Sequence, residues 1–284
     1  MQSFAQLIQD AGSGSIAAFA RADQAEKTGK SPDQLDEVMA QALLVMRESV
    51  EKGLQPGARS LSGMTGGQSA KLMQAVHDGK SASDIFLGTA IARALAVAEC
   101  NAAMGRIVAA PTAGACGILP AVLLSLQEKF GFTDRQLVDA LYVAGAVGLI
   151  IANRAGISGA QGGCQEETGT AAAMAAAAAV YLRGGSNTQS TWAAGFALMN
   201  VMGLVCDPVG GLVEVPCVYR NVMGAANALV SADLALAGIP CPLPPDEVVD
   251  AMKSVGDMMP SSLRETGEGG CASCPGASRS AYDQ

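Results

Sequence analysis

Apolar residues recur at three- and four-residue intervals along most of this chain. Leu35, Val38, Met39, Ala42, Leu43 and Met46 fall on one face of a helix. Its start is written in Ser31-Pro32-Asp33-Gln34: Ser31 is the N-cap, Pro32 takes the first helical position, Gln34 closes a capping box, and Gly53 marks the end. Thr133-Asp134-Arg135-Gln136 is a second capping box. The helix it opens is apolar nearly all round over 141–152, which predicts a central position and an end at Asn153. A buried, alanine-rich helix is expected over 84–104. Glu166 and Glu167 sit at the positive end of another, running to Leu182. Further helices are expected over 188–203 and 218–237, and a last one from Pro244-Pro245-Asp246-Glu247 to Met258. Residues 1–30 read as one short helix and a polar linker.

Between these helices lie loops dense in glycine and proline. Ser60 to Gln68 (SLSGMTGGQ) feeds a helix from Ser69. Such a loop presents backbone N–H groups at a helix N-terminus, where a carboxylate or phosphate is favoured. It lacks the order of a nucleotide-binding P-loop, and a plain helix-capping turn explains the same residues. Residues 105–120 form a second loop of this kind. The third stretch, Ser158 to Asn221, opens SGAQGGCQEETG and closes CDPVGGLVEVPCVYRN.

That third stretch holds Cys164, Cys206 and Cys217. A straight helix would part Cys206 and Cys217 by roughly 16 Å. Pro208, Gly210, Gly211 and Pro216 make a straight helix untenable, so the segment is expected to fold back and bring the sulfurs together. Cys164 follows Gly162-Gly163, as suits a loop exposing a thiolate. Three thiolates from loops are what an iron–sulfur cluster needs if one iron is to stay open. Buried cysteines acting as small apolar residues are the alternative, and the C-x41-C-x10-C spacing matches no general metal motif. Cys271 and Cys274 form the single C-x-x-C, half a zinc site or a redox pair, with no second half to complete it. His77, the only histidine, lies in a polar turn and reads as surface.

Half of the 284 residues are apolar, with few aromatics and many alanines and glycines, which favours close-packed helices. The fold class expected is mainly α: a single helical domain over 1–284, with Gly/Pro-rich loops gathering the cysteines and 259–284 as a C-terminal tail. A net charge of −8 argues against a nucleic-acid partner. The most apolar runs, 140–152 and 171–182, are too short to span a bilayer, so no membrane association is expected. Eight cysteines without a signal peptide point to the reducing cytoplasm.

Five stretches together carry a resemblance: SGMTGGQSAKL (62–72), NAAMGRIVAAPTAGACGILP (101–120), IANRAGISGAQGGCQEETGTAAAMAAAA (151–178), GLVCDPVGGLVEVPCVYRNVMGAANA (203–228) and MPSSLRETGEGG (259–270). In this order they resemble the α chain, or catalytic domain, of iron–sulfur-dependent L-serine dehydratases. The resemblance implies a [4Fe–4S] cluster with Cys164, Cys206 and Cys217 on the cluster positions. Cys100, Cys116 and Cys241 fall elsewhere and read as packing. It implies β-elimination of L-serine to pyruvate and ammonia without pyridoxal phosphate, in amino-acid catabolism leading to gluconeogenesis. The open iron would act as a Lewis acid on the substrate hydroxyl. Ser62, Thr65, Gly66 and Gly67 are then expected to grip the substrate carboxylate. Ser60, Ser62 and Ser158 are candidates for the unidentified general base.

Chains of this length in the family usually work with a separate β chain, so a β-chain partner and an oligomer are expected. The resemblance departs at Cys271-Ala272-Ser273-Cys274, where the family usually has an apolar residue and a threonine in place of the cysteines. A removable fourth cluster ligand or a disulfide formed on oxidation would each require exposed thiols of low pKa. Two other functions stay open: the same scaffold acting on threonine or cysteine, and a non-catalytic cluster-holding sensor or partner subunit.

Overall fold

Ser31 and Thr133 cap helices as their sequences require. In the computed structural model, which describes residues 1–57 and 59–277, Ser31 Oγ accepts the Gln34 N–H at 3.3 Å and Gln34 Oε1 accepts the Ser31 N–H at 2.9 Å. Thr133 and Gln136 repeat the pattern at 3.3 and 2.9 Å. Ser186 and Gln189 add a third capping box that the sequence reading had not singled out.

The described residues form α1 (Phe4–Ala11), α2 (Ile16–Thr28), α3 (Pro32–Gly53), α4 (Gln68–His77), α5 (Ile85–Ala102), α6 (Ile118–Phe130), α7 (Asp134–Arg154), α8 (Gly159–Gly162), α9 (Cys164–Leu182), α10 (Asn187–Met199), α11 (Cys217–Leu236) and α12 (Pro245–Met258). No β-strand occurs among them, and the mainly α expectation holds. The N-terminal segment carries two helices rather than one and a linker. Asp246 at the start of α12 accepts the N–H groups of Phe4 and Ala5 at 2.8 and 3.1 Å, which ties α1 to the far end of the chain. Of the expected 259–284 tail, residues 278–284 lie outside the described residues.

The α7 helix is central as expected, and α9 is more enclosed still. Ala171–Ala173 and Ala175–Ala179 are fully or almost fully buried, and α6, α7, α10 and α11 pack around them. A helix of alanines has no bulky side chains to hold neighbours off, so four helices crowd one. α7 lies directly against α9, with α2 on its other side. α5 and α7 are each long and apolar enough to cross a bilayer, the latter contrary to the reading of its apolar run as too short; both are mostly buried against other helices.

α10 ends at Met199, four residues before the expected Gly203. There the Gly203 N–H is taken by Gln165 Oε1 at 2.8 Å, while Asn200 Nδ2 donates to Asn227 Oδ1 at 2.7 Å. Gln165 is fully buried, and its Nε2 also donates to the carbonyls of Gly162 and Met252 at 2.9 Å each. One side chain therefore fixes the start of α9 against α8, α12 and the segment after α10.

Gly53 does end α3, though in a right-handed conformation rather than as a left-handed cap. A Cβ there would stand 1.9 Å from the Ala96 carbonyl oxygen of α5 and 2.4 Å from its carbon. Gly53→Ala is expected to lower stability by about 1–3 kcal/mol, the usual range for overpacking against a rigid neighbour. Gly145→Ala, in α7 with nothing within 4 Å of the added carbon, should raise it by up to about 1 kcal/mol through helix propensity. Urea denaturation of both variants checks the pair, and equal effects would remove the close approach as the reason for Gly53.

Candidate active site

The three cysteines come from three separate segments. Cys164 is the first residue of α9, and Cys217 is the first of α11. The sequence reading put Cys164 on an exposing loop. It instead opens a helix and is 1% exposed, because Gly163 at φ +83° turns the chain inward against Leu204 and Met259. Cys206 lies in an extended bridge to the tail: its N–H donates to the Leu263 carbonyl, and the Glu265 N–H donates to its own, both at 2.8 Å. The chain between Cys206 and Cys217 folds back as expected. A short 3-10 turn at Val209–Gly211 and the Val209 N–H to Val215 carbonyl bond (2.8 Å) close it.

Glycine and asparagine make this convergence fit. A Cβ on Gly159 would lie 2.7 Å from Cys206 Sγ and 3.5 Å from Glu265 Oε2. Glu265 holds φ +64°, a strained value for a residue with a side chain. Asn221 is buried one turn into α11. Its Nδ2 donates to the carbonyls of Cys217 (2.9 Å) and Gly114 (2.7 Å), and its Oδ1 accepts the Gly117 N–H (2.8 Å). Asn221 thus ties the 105–117 loop to Cys217. That loop places Thr112, whose hydroxyl donates to Glu167. Glu167 and Thr168 share the α9 face of Cys164, with Cys164 Sγ 4.0 Å from Glu167 Oε2 and 3.1 Å from Thr168 Oγ1.

The electrostatics single out one thiolate. Cys164 is held below the usual cysteine range because Cys206 donates its S–H to it, against burial, and Arg220 adds positive charge. Cys206 is pushed far up, first by that donation, then by burial and by the charge of Cys164. Burial, then Cys164 and Glu167, push Cys217 up to about 12. Burial also pushes Glu167 up, and Thr112 opposes it. Arg220 stays protonated despite burial through Cys164 and Asp207; it donates to Asp207 Oδ1 at 2.6 Å and to the Val205 carbonyl at 2.7 Å.

Arg220 is the cationic side chain that acts on Cys164 and Cys217. A bound cationic centre would supply more positive charge, since metal coordination deprotonates thiols outright. A soft, all-sulfur donor set suits irons of a sulfide cluster. Among the described residues no three His, Cys, Asp or Glu side chains close on one point as ligands of a single ion. Cysteines of a multi-iron cluster bind separate irons, so thiols from three separate segments are compatible with such a group.

The 60–68 loop is tied to the chain on either side of Cys217 through Glu214 and Tyr219, but its groups are engaged differently from the expectation. The anion at the N-terminus of α4 is the chain's own: Glu99, 1% exposed, accepts the N–H groups of Gln68 (2.9 Å) and Ser69 (3.0 Å) and the Ser69 hydroxyl (2.6 Å). Ser62 and Thr65 hydroxyls both donate to the buried carboxylate of Glu214, at 2.5 and 2.6 Å. Ser60 Oγ is 3.2 Å from Ser62 Oγ. The N–H groups of Gly66 and Gly67 donate to no other described residue.

The remaining candidates are spread out. Ser158 caps α8, its Oγ accepting the Ala160 N–H at 3.3 Å. His77 is exposed on the rim of a cavity of about 530 Å³ that also includes Arg93 and Glu128, none of which borders the cysteines. Cys100 and Cys116 are buried and Cys241 packs against Gly195, as packing residues would. Cys271 and Cys274 are exposed free thiols. Asp207, which accepts the Cys271 N–H at 2.6 Å, pushes the Cys271 thiol up. Sequence reasoning missed Glu99, Glu167, Glu214, Arg220 and Asn221. The only available signal was the presence of four of them within the matched family stretches.

The family model described as serine dehydratase alpha chain matches residues 13–272. A probable L-serine dehydratase, alpha chain, of Bacillus subtilis is 50% identical over 254 residues, covering 89% of this chain and 84% of that protein. The L-serine dehydratase, alpha chain, of Peptoniphilus asaccharolyticus is 46% identical over 228 residues, 80% of this chain and 78% of that protein. An L-serine dehydratase of Escherichia coli is 44% identical over 182 residues, 63% of this chain but only 40% of that longer protein. With three cysteines drawn together and a family match from the second helix to the tail, this chain belongs to the serine dehydratase alpha chain family.

Proposed function

We propose that the chain is the catalytic subunit of an L-serine ammonia-lyase holding a [4Fe–4S] cluster on Cys164, Cys206 and Cys217. The observation that carries this is the convergence of three buried thiols from distant segments: Cys164 at the start of α9, Cys217 at the start of α11, and Cys206 between the Val205 and Asp207 groups that Arg220 holds. The reaction removes the α-hydrogen and the β-hydroxyl of L-serine as water. The resulting enamine tautomerises to an imine, which water hydrolyses to pyruvate and ammonia. When bound, a cluster with three cysteine ligands supplies an open Lewis-acidic iron for the departing hydroxyl.

The chain's own groups do the rest. The Gly66 and Gly67 N–H groups receive the substrate carboxylate, and Ser62 and Thr65 hold the loop in place through Glu214. Of the three serine candidates, Ser62 is the best supported as base: its Oγ proton is already directed at Glu214 Oε2, the arrangement of an activated hydroxyl. The exposed apolar side chains of Leu61, Leu212, Val213, Tyr219 and Met223 border this loop and α11. They suit a β-chain partner, as the "alpha chain" names of the relatives suggest. The working compartment is the reducing cytoplasm, where the thiols stay available for iron.

An anaerobic assay of the purified chain tests the reading, with iron and sulfide quantified, with and without a family β chain. Pyruvate released from L-serine, about four irons per chain and loss of both on exposure to air are expected. An iron-free chain after anaerobic reconstitution would return the cysteines to packing. A full cluster with no turnover under either condition would point to another substrate or a sensor role.

A further inference from the structure

Glu166 stands apart from the cysteine site although it is only two residues from Cys164. That two-residue offset turns it about 160° round α9 from Cys164, and as far from Thr168. The residue is 2% exposed, and its Oε2 is buried without a hydrogen-bond partner. Its carboxyl lies in a cradle of two glycines: a Cβ on Gly162 would meet Oε1 at 2.1 Å, and one on Gly156 would meet Oε2 at 2.9 Å. A buried acceptor left without a full hydrogen bond is costly; the Ser158 N–H and the Lys253 charge are turned toward this carboxyl, yet burial still pushes it up to about 7.

Glu166 lines a cavity of about 590 Å³ whose other walls carry Asn153, Arg154, Gln161, Lys253, Asp257 and Arg264. Arg154 is committed to Asp250, at 3.1 and 2.6 Å. Lys253 pairs with Asp257 one turn along α12. Arg264 makes one 3.3 Å bond to the Gln161 carbonyl and no ion pair among the described residues. The cavity thus combines an unsatisfied buried carboxylate oxygen with a guanidinium fork that lacks a carboxylate. An ammonium group brings three donors to the first, and a carboxylate pairs with the second.

We propose that this cavity is a binding site for a free α-amino acid, separate from the cysteine site, with the ammonium on Glu166 and the carboxylate on Arg264. Its wall toward the cysteines is α8. Ala160 and Gln161 line the cavity, and Gly159 backs onto Cys206 Sγ.

The test is calorimetric titration of the full chain with glycine, which has no β-hydroxyl to eliminate, and with N-acetylglycine and methylammonium, which each lack one of the charges. Glycine is expected to bind, and the two controls at least tenfold more weakly. Glu166→Gln and Arg264→Met should each weaken glycine at least tenfold while keeping the far-ultraviolet circular dichroism of the parent. Arg264 is partly exposed, so its variant decides the matter if Glu166→Gln does not fold. Cys206→Ser should leave glycine binding intact; its loss there would assign the ligand to the cysteine site and overturn the proposal. Methylammonium binding as tightly as glycine would make this a simple cation site, and no heat from any probe would mean that water alone fills it. Either result also overturns it. The pyruvate assay does not depend on this outcome, so the two readings fail separately.

Discussion

Cys206→Ser is expected to strip the chain of iron and abolish pyruvate formation, while leaving the helical content unchanged. Serine is smaller than cysteine and fits the gap against Gly159, so the substitution adds no clash. It removes one of three soft ligands, and the hydroxyl that replaces it is a poor donor to iron. Loss of an outer-shell partner alone typically costs 10–100-fold in metal affinity, so loss of a ligand should cost more than about hundredfold. Cys116→Ser is the matched control. Cys116 is as deeply buried, its thiol pushed up to about 12 by burial, yet it lies outside the three-cysteine group. It should keep iron and turnover and lose only stability. Iron analysis and turnover of both variants decide the matter: if they behave alike, Cys206 is a packing residue and the cluster assignment fails.

Glu214→Gln should produce the second large loss. Glu214 accepts hydroxyl hydrogen bonds on both oxygens, from Thr65 and Ser62. Glutamine keeps one acceptor and turns the other into a donor, so one hydroxyl must rotate away. Hydrogen bonds to a charged group are worth about 1.5–3 kcal/mol, and the variant should lose stability in that range. If Ser62 passes its proton to Glu214 during turnover, kcat should fall by about 10²–10⁴, the usual worth of a positioned base. A purely structural role for Glu214 would instead raise KM for L-serine and leave kcat and its pH profile in place. Steady-state kinetics across pH, measured on the anaerobic holoenzyme, separates the two.

The fold was legible where the signal is local. A capping box spans four residues, and both of those read from the sequence are present, at Ser31–Gln34 and Thr133–Gln136. The 3.6-residue period placed α3, α5, α9, α11 and α12 to within a few residues. It did not rank the central helices, because near-complete apolarity marks both α7 and α9, and only packing shows which one is the more enclosed. It also ran α10 on to Gly203, whose N–H is instead held by Gln165 from 38 residues away.

The candidate site divides in the same way. The sequence by itself determined its cysteines, its glycine loops and its family, because residue identities are written in the chain whatever their placement. Only the tertiary structure decided what those residues face. Glu99 reaches the α4 N-terminus from 30 residues away, and Glu214 reaches Ser62 from 152. Both carboxylates satisfy donors that the loop was expected to offer a substrate. Which buried donor meets which acceptor depends on helices packed from distant parts of the chain. No spacing rule carries that information, and this is why the glycine loop could be found in the sequence while its internal anions could not.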